Sequence, residues 1–213
     1  VMFRFKELLD RHHDELARII TREHGKVFSD AKGEVQRGIE IVEFACGAPQ
    51  LLKSQFSDNI GGGIDNFALR QPLGVVAGIT PFNFPMAIPS WKLIPALVCG
   101  NTVVIKSGED VPLSTINLIK SCEEAGIPAG VANVVNGFGK AGEALVAHDD
   151  VRLISFTGAT KTGRIIAEQC ARDNKIVSLE MGGKNAIIVM DDADVDNAVE
   201  GSLWGAFGTS GQR

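Results

Sequence analysis

Four short stretches of this chain carry residue types that can do chemistry, and each follows directly on an apolar run. The first is Ile79–Pro85, Ile-Thr-Pro-Phe-Asn-Phe-Pro, where two prolines and two rings bracket one amide, Asn83. Pro81 and Pro85 fix φ, remove backbone donors and push the residues before them toward extended conformations. A stiff, glycine-free corner around a neutral donor suits a group that must meet a developing oxyanion without reorganising. The commoner use of such an Asn is to satisfy its own turn. The second stretch is Lys106-Ser107-Gly108-Glu109. A cation and an anion three residues apart after a strand can bond the two hydroxyls of a ribose, and the anion would repel a 2′-phosphate; the alternative is a surface ion pair.

The third stretch, Gly158-Ala159-Thr160-Lys161-Thr162-Gly163, has glycines at both ends that let backbone approach a phosphate at a helix N-terminus. It matches neither a Walker A loop nor the G-x-G-x-x-G fingerprint. The fourth is Glu180, which closes an apolar run and precedes Met181-Gly182-Gly183-Lys184. A carboxylate among apolar neighbours is expected to hold its proton more tightly, which suits a general base near neutrality; pairing with Lys184 is the competing reading.

The elements needed to hold these stretches follow from periodicity. Phe3–His24 and Ser29–Phe56 read as amphipathic helices, the second bent or interrupted at Pro49. Ile60–Gly63 reads as a flexible break and Phe67–Gln71 as a strand. From Gly74 onward, short apolar runs (74–79, 102–106, 132–135, 153–156, 176–179) alternate with helical stretches (86–98, 112–125, 141–147, 160–171). A further apolar run, Ala186–Val189, precedes a helix over Val195–Phe207, with Asp191, Asp192 and Asp194 as possible caps. Alternation of this kind predicts α/β architecture: a doubly wound, Rossmann-like parallel sheet with N-terminal helices and the start of a second domain. In such sheets ligands bind beyond the carboxyl ends of the strands. Asn83, Lys106, Gly139, Gly158 and Glu180 all fall just after strand ends.

The bulk properties narrow the function classes. A net charge of −5 and a pI near 5.4, without any Lys/Arg run, speak against a nucleic-acid partner. The apolar runs are broken well short of a membrane span, and the amphipathic N-terminus does not read as a signal peptide. Four scattered cysteines without a Cys-x-x-Cys, and histidines His12, His13 and His24 on a charged helix face, predict reduced thiols, no metal site and a cytoplasmic setting.

Taken jointly, the motifs Pro-Phe-Asn-Phe-Pro, Gly-Asn-Thr-Val-Val-Ile-Lys, Ala-Gly-Ile-Pro-Ala-Gly-Val, Phe-Thr-Gly-Ala-Thr-Lys-Thr-Gly, Leu-Glu-Met-Gly-Gly-Lys and Gly-Gln-Arg resemble the aldehyde dehydrogenase superfamily along essentially the whole chain. The resemblance implies NAD-dependent oxidation of an aldehyde, with NADP the less favoured cofactor, through a cysteine thiohemiacetal and thioester. It implies Asn83 as the oxyanion amide and Glu180 as the general base. Lys106 and Glu109 match the ribose contacts. Thr80, Pro81 and Phe82 match the cleft wall, and Gly139, Gly142, Gly158, Ala159, Gly163, Met181 and Gly182 its remaining nucleotide-binding positions. It further implies a cofactor domain over 1–181, with 66–72 a strand leaving it toward an oligomerisation region, the opening of a catalytic domain over 182–213, and a homodimeric or homotetrameric parent.

Three departures stand out. Ala159 replaces a Ser that donates to the pyrophosphate in many members, shifting that contact to backbone or Thr160. Ser107-Gly108 replaces the usual Pro-x and is expected to loosen the ribose corner. The family's nucleophilic cysteine follows Gly-Gln-x, and none of Cys46, Cys99, Cys122 or Cys170 occupies that place, so the chain reads as truncated and inactive by itself. Glu180 favours water over coenzyme A as acyl acceptor, because CoA-acylating members usually lack that acid. Phe82, Pro112-Leu113 and Gly208-Thr209-Ser210 look most like semialdehyde-oxidising branches. The alternatives are a CoA-acylating semialdehyde dehydrogenase and an inactive nucleotide-binding module.

Overall fold

The computed structural model describes residues 1–212; Arg213, the last residue of the Gly-Gln-Arg motif, lies outside them. The first amphipathic stripe is two helices, α1 (Met2–Arg11) and α2 (His13–His24), which meet at His12 with φ −97° and ψ 11°. Leu9 and Leu16 are two turns apart and both buried, so the stripe stays in phase across the break and reads as one helix. α3 (Phe28–Cys46) follows and ends at Gly47. Pro49 does not bend it; the proline sits in the first turn of the short α4 (Ala48–Leu51), where a missing N–H is harmless.

Beyond α4 the helical reading fails. Gln55–Gly61 is β1, paired antiparallel with β2 (Ile64–Ala68) through a turn at Gly62 and Gly63. The expected loose break is therefore a hairpin tip, and the strand expected over 66–72 starts earlier and stops at Ala68. Both strands are solvent-exposed on nearly every residue, so no buried face imprinted a period on the sequence. Phe56 faces Phe67 across the pair, with ring centroids 4.8 Å apart.

The remaining elements run strictly as β3 (Val75–Ile79), α5 (Ala87–Val98), β4 (Thr102–Lys106), α6 (Pro112–Ala125), β5 (Ala132–Val135), α7 (Gly139–Ala147), β6 (Val151–Gly158), α8 (Thr160–Arg172), β7 (Ile176–Met181) and α9 (Val195–Phe207). Asp194 caps α9 by accepting the Asn197 N–H. The sheet is parallel throughout, in the order β5-β4-β3-β6-β7. The chain winds outward from β3 to β5, then returns to place β6 on the other side of β3. That reversal is the switch point at which an open α/β sheet leaves a crevice.

Each face of the sheet has its own core. Val76, Val103 and Ile105 pack with Leu93, Ile94 and Leu118 and with the inward stripes of α1, α2 and α3. Ala77, Ile79, Ile154 and Phe156 pack with Val146 and Ile166 of α7 and α8. A Cβ on Gly78 would meet Ile105 Cδ1 of the neighbouring β4 at 2.6 Å and Lys92 of α5 at 3.4 Å, which explains the glycine in mid-strand. The apolar run at 186–190 forms no strand among the described residues and is exposed. No helix among them is long and apolar enough to cross a membrane.

Candidate functional site

A cleft of about 810 Å³ opens at the switch point, between the ends of β3, β4 and β6 and the first turns of α7 and α8. Its walls include Thr80, Pro81 and Phe82 after β3, Lys106 and Glu109 after β4, Gly139 and Gly142 on α7, and Gly158 and Ala159 between β6 and α8. Neither α7 nor α8 has a side-chain cap, so the N–H groups of their first turns have no capping acceptor. Gly139 has open space where a Cβ would stand, and a Cβ on Gly142 would only touch Ile79.

The β4 corner is tight rather than loosened. Lys106 is buried and its Nζ lies 2.7 Å from Glu109 Oε2. The hydrogen bond from Lys106 holds the Glu109 carboxyl below the usual carboxylate range. A Cβ on Gly108 would come within 3.1 Å of Pro81 and Phe82 backbone, so glycine is what lets the β3 and β4 loops pack together. Ser107 Oγ donates to Asn136 Oδ1 at 2.9 Å, and Thr80 N donates to the Lys106 carbonyl at 3.0 Å.

Several wall residues went unread in the sequence. The hydroxyl facing the cleft from α8 is Thr162, not Thr160, and it heads a stripe of Thr162, Ile165, Ile166 and Gln169. That i, i+3, i+4, i+7 spacing was the available signal. Asp110 and Glu143 add carboxylates to the wall of the same cleft. Gly163 and Met181 stand behind the wall: a Cβ on Gly163 would meet Met181 Sδ at 2.5 Å, so the glycine serves the packing of α8 on β7. Gly182 is also outside the wall.

Asn83 sits one residue beyond the cleft wall. Its Nδ2 donates to Gln212 Oε1 at 2.7 Å, and its Oδ1 is buried with no hydrogen-bond partner among the described residues. Gln212 is carried there by a strained turn in which Thr209, Ser210 and Gly211 have φ of 55°, 53° and 83°. A positive φ at a β-branched residue is an outlier of the kind found at functional sites. Thr209 N donates to Asp30 Oδ2 at 3.2 Å, tying the turn to α3. Phe82 stacks on His24 with centroids 6.2 Å apart. His24 is therefore not the solvated helix-face residue expected: its Nδ1 is buried, and partial burial with the Lys26 ammonium holds the imidazole below its ordinary range.

Beside this corner lies a second cleft of about 610 Å³, lined by Gly25–Val27, Asp30, Arg37, Phe84, Trp204 and Phe207–Ser210. The Arg37 guanidinium lies 6.0 Å from the Phe84 ring centroid.

Glu180 pairs with Thr157 at the end of β7. It is exposed, so the apolar confinement expected for it is absent, and no ion pair with Lys184 forms among the described residues. The cation that feels its charge is Lys92 of α5, whose Nζ donates to Ser155 Oγ at 2.9 Å. Burial pushes the Lys92 ammonium down to about 8, with Glu180 pulling the other way. The four cysteines stand apart from the large cleft. Cys122 and Cys170 are buried in α6 and α8, and burial pushes the Cys122 thiol up to about 12. Among the described residues no group of His, Cys, Asp and Glu could hold a metal ion.

Comparison with known proteins agrees with this fold. The chain is 49% identical over 213 residues to malonate-semialdehyde dehydrogenase 1 of Geobacillus kaustophilus (strain HTA426), covering all of this chain and 44% of that protein. It superposes with TM-score 0.96 and 52% identity on the crystal structure of methylmalonate-semialdehyde dehydrogenase (DddC) from Oceanimonas doudoroffii, covering 100% of this chain and 43% of that one. A Sinorhizobium meliloti 1021 protein, provisionally described as a methylmalonate-semialdehyde dehydrogenase and solved with NAD, matches with TM-score 0.96 and 43% identity over 100% of this chain and 43% of that one. The chain thus spans under half the length of these relatives. The model of the aldehyde dehydrogenase family matches residues 1–213, and the chain belongs to that family.

Proposed function

We propose that the whole protein carrying these residues is an NAD-dependent aldehyde dehydrogenase that oxidises a semialdehyde to its carboxylate, with water as acyl acceptor. In this reading residues 1–181 form its dinucleotide-binding part and 182–213 open its catalytic part. One juxtaposition carries it: the loop after β3 gives Thr80, Pro81 and Phe82 to the cleft wall and, at the next residue, the Asn83 amide. A nucleotide in the cleft and an aldehyde oxygen on that amide would meet at one corner.

The residues fit a dinucleotide. The uncapped first turns of α7 and α8 suit a pyrophosphate. Lys106 and Glu109 suit the ribose hydroxyls, and Glu109, Asp110 and Glu143 would face a 2′-phosphate with like charge, which favours NAD over NADP. NAD, when bound, supplies the acceptor for a hydride from the substrate carbon. Asn83 Nδ2, which here donates to the Gln212 side-chain oxygen, would instead donate to the oxygen that gains charge at the aldehyde carbon. Glu180, exposed at the end of β7, would take a proton from the attacking water. The nucleophile would come from outside these residues, because the four cysteines here stand away from the cleft.

The substrate class rests on the second cleft. Phe84, Trp204 and Phe207 offer apolar walls, and Arg37 offers a planar cation to a carboxylate at the far end of a short aldehyde. Relatives named for malonate and methylmalonate semialdehydes support that choice. The test is NADH formation by the whole protein with paired aldehydes that differ only in a terminal carboxylate. The expected result is turnover favouring the carboxylated member, with Arg37→Met raising its KM about 10- to 100-fold and leaving the neutral one unchanged. No NADH with any aldehyde, or no change in Arg37→Met, contradicts the proposal. The 213-residue chain alone is expected to bind NAD without turnover.

A further inference from the structure

Lys26 and Glu34 form an ion pair at 2.6 Å with both side chains wholly shielded from solvent. Neither belongs to any of the chemistry-bearing stretches, yet between them they hold the backbone on both sides of Pro85. Lys26 Nζ donates to the carbonyl of Asn83 at 2.8 Å and lies 4.3 Å from the Phe84 ring centroid. Glu34 Oε2 takes the ammonium, while its Oε1 accepts the N–H groups of Met86 and Ala87 at 2.8 and 3.2 Å. α5 has no side-chain cap of its own, so Glu34 serves its first turn from another helix. Burial holds the Glu34 carboxyl above the usual range, against the pull of Lys26 and the two N–H groups.

A buried ion pair is a poor way to gain stability, because desolvation offsets the attraction and apolar side chains of equal volume often serve as well. What it offers is a fixed geometry. Two prolines already stiffen the corner, but they leave the orientation of the Asn83 peptide unset. The ammonium on the Asn83 carbonyl sets it, and with it the direction in which the side-chain amide leaves the backbone.

We infer that Lys26 and Glu34 are positioning residues for Asn83, holding its peptide from the far side so that Nδ2 points at the reacting oxygen. The inference rests on the reading of Asn83 as the oxyanion donor. Its test uses the whole enzyme and the double variant Lys26→Met/Glu34→Gln, which removes both charges at nearly constant volume and leaves neither unpaired. Three quantities are read: NAD affinity, the KM for aldehyde, and the rate of the first NADH burst. The expected result is NAD affinity within about twofold of wild type, little change in KM, and a burst slower by about tenfold or more. In the Asn83→Ala background the same pair of changes should slow the burst by less than about twofold further, because the amide it positions is gone.

A wild-type burst rate in the double variant, or an undiminished loss in the Asn83→Ala background, overturns the inference while Asn83→Ala alone still upholds the oxyanion reading. An unchanged burst in Asn83→Ala alone removes that reading, and the inference with it. Should the double variant lose NAD affinity, Glu34→Gln alone, which keeps an amide oxygen for Met86 and Ala87, is held to the same split: slowed burst, unchanged affinity.

Discussion

The two faces of the sheet do their work by different means. On the α7–α8 face, the cleft draws much of its wall from glycines, uncapped helix starts and side chains that stand within a few residues of a strand end. On the opposite face, Asn83 is gripped by Lys26 from 57 residues away and met by Gln212 from 129 residues away. A surface for a charged, extended ligand can be assembled from local turns, because exposed N–H groups are what such turns supply. One amide aimed at one oxygen needs contacts that converge from several elements, because no local turn fixes a side chain in three dimensions.

The contrast predicts which side tolerates change. The largest effect on stability is expected from Lys26→Met alone, which strands the Glu34 charge in the core. About 3–5 kcal/mol should be lost in denaturant unfolding, and the Lys26→Met/Glu34→Gln pair should recover most of it. Recovery of none would mean the pair is simply part of the packing.

Next comes Gly163→Val on the α7–α8 face. Its side chain would collide with Met181, so about 1–3 kcal/mol should be lost, with NAD affinity falling only as far as α8 shifts. A stability change within error would show that Met181 moves aside. Glu109→Ser should narrow the preference for NAD over NADP by about tenfold, by removing an acceptor and a like charge together; an unchanged ratio would exclude Glu109 from cofactor choice.

The smallest effect concerns Lys92. Its ammonium titrates near 8 in the folded chain against an ordinary 10.5, so between those values the unfolded chain binds more protons. The penalty is complete below pH 8 and fades as pH rises toward 10.5. Lys92→Met should therefore gain stability below pH 8, on the order of 1 kcal/mol after solvent screening, and none near pH 10.5. A gain independent of pH would point to packing rather than charge.

The same contrast explains what the sequence discloses. Strands β4 and β5 and helices α6 and α9 lie where the sequence places them, to the residue: β4 and α6 have buried residues, and Pro112, Gly126 and Asp194 mark helix ends. The β1–β2 hairpin left only a partial trace: Phe67–Gln71 reads as a strand and overlaps the end of β2, but with no buried face to pattern it β1 reads as helix and break. Cleft residues next to strand ends were legible as punctuation. Lys26 and Glu34 were not: Lys26 lies in the link between α2 and α3 and Glu34 on α3, and a charge in either place looks solvated until the fold buries it. Glu180 failed in the reverse sense: its apolar neighbours in sequence alternate to the other side of β7 and leave it exposed.

The division of labour between the two faces is tested most directly by Asn83→Ala in the whole enzyme, with NAD affinity and the pre-steady-state NADH burst measured on one preparation. The cleft walls do not include Asn83, so NAD affinity should stay within about twofold of wild type. The burst should slow by about 10²–10³-fold, the loss expected for one oxyanion donor. A burst at the wild-type rate, or a fall in NAD affinity that accounts for the whole loss, would contradict the account.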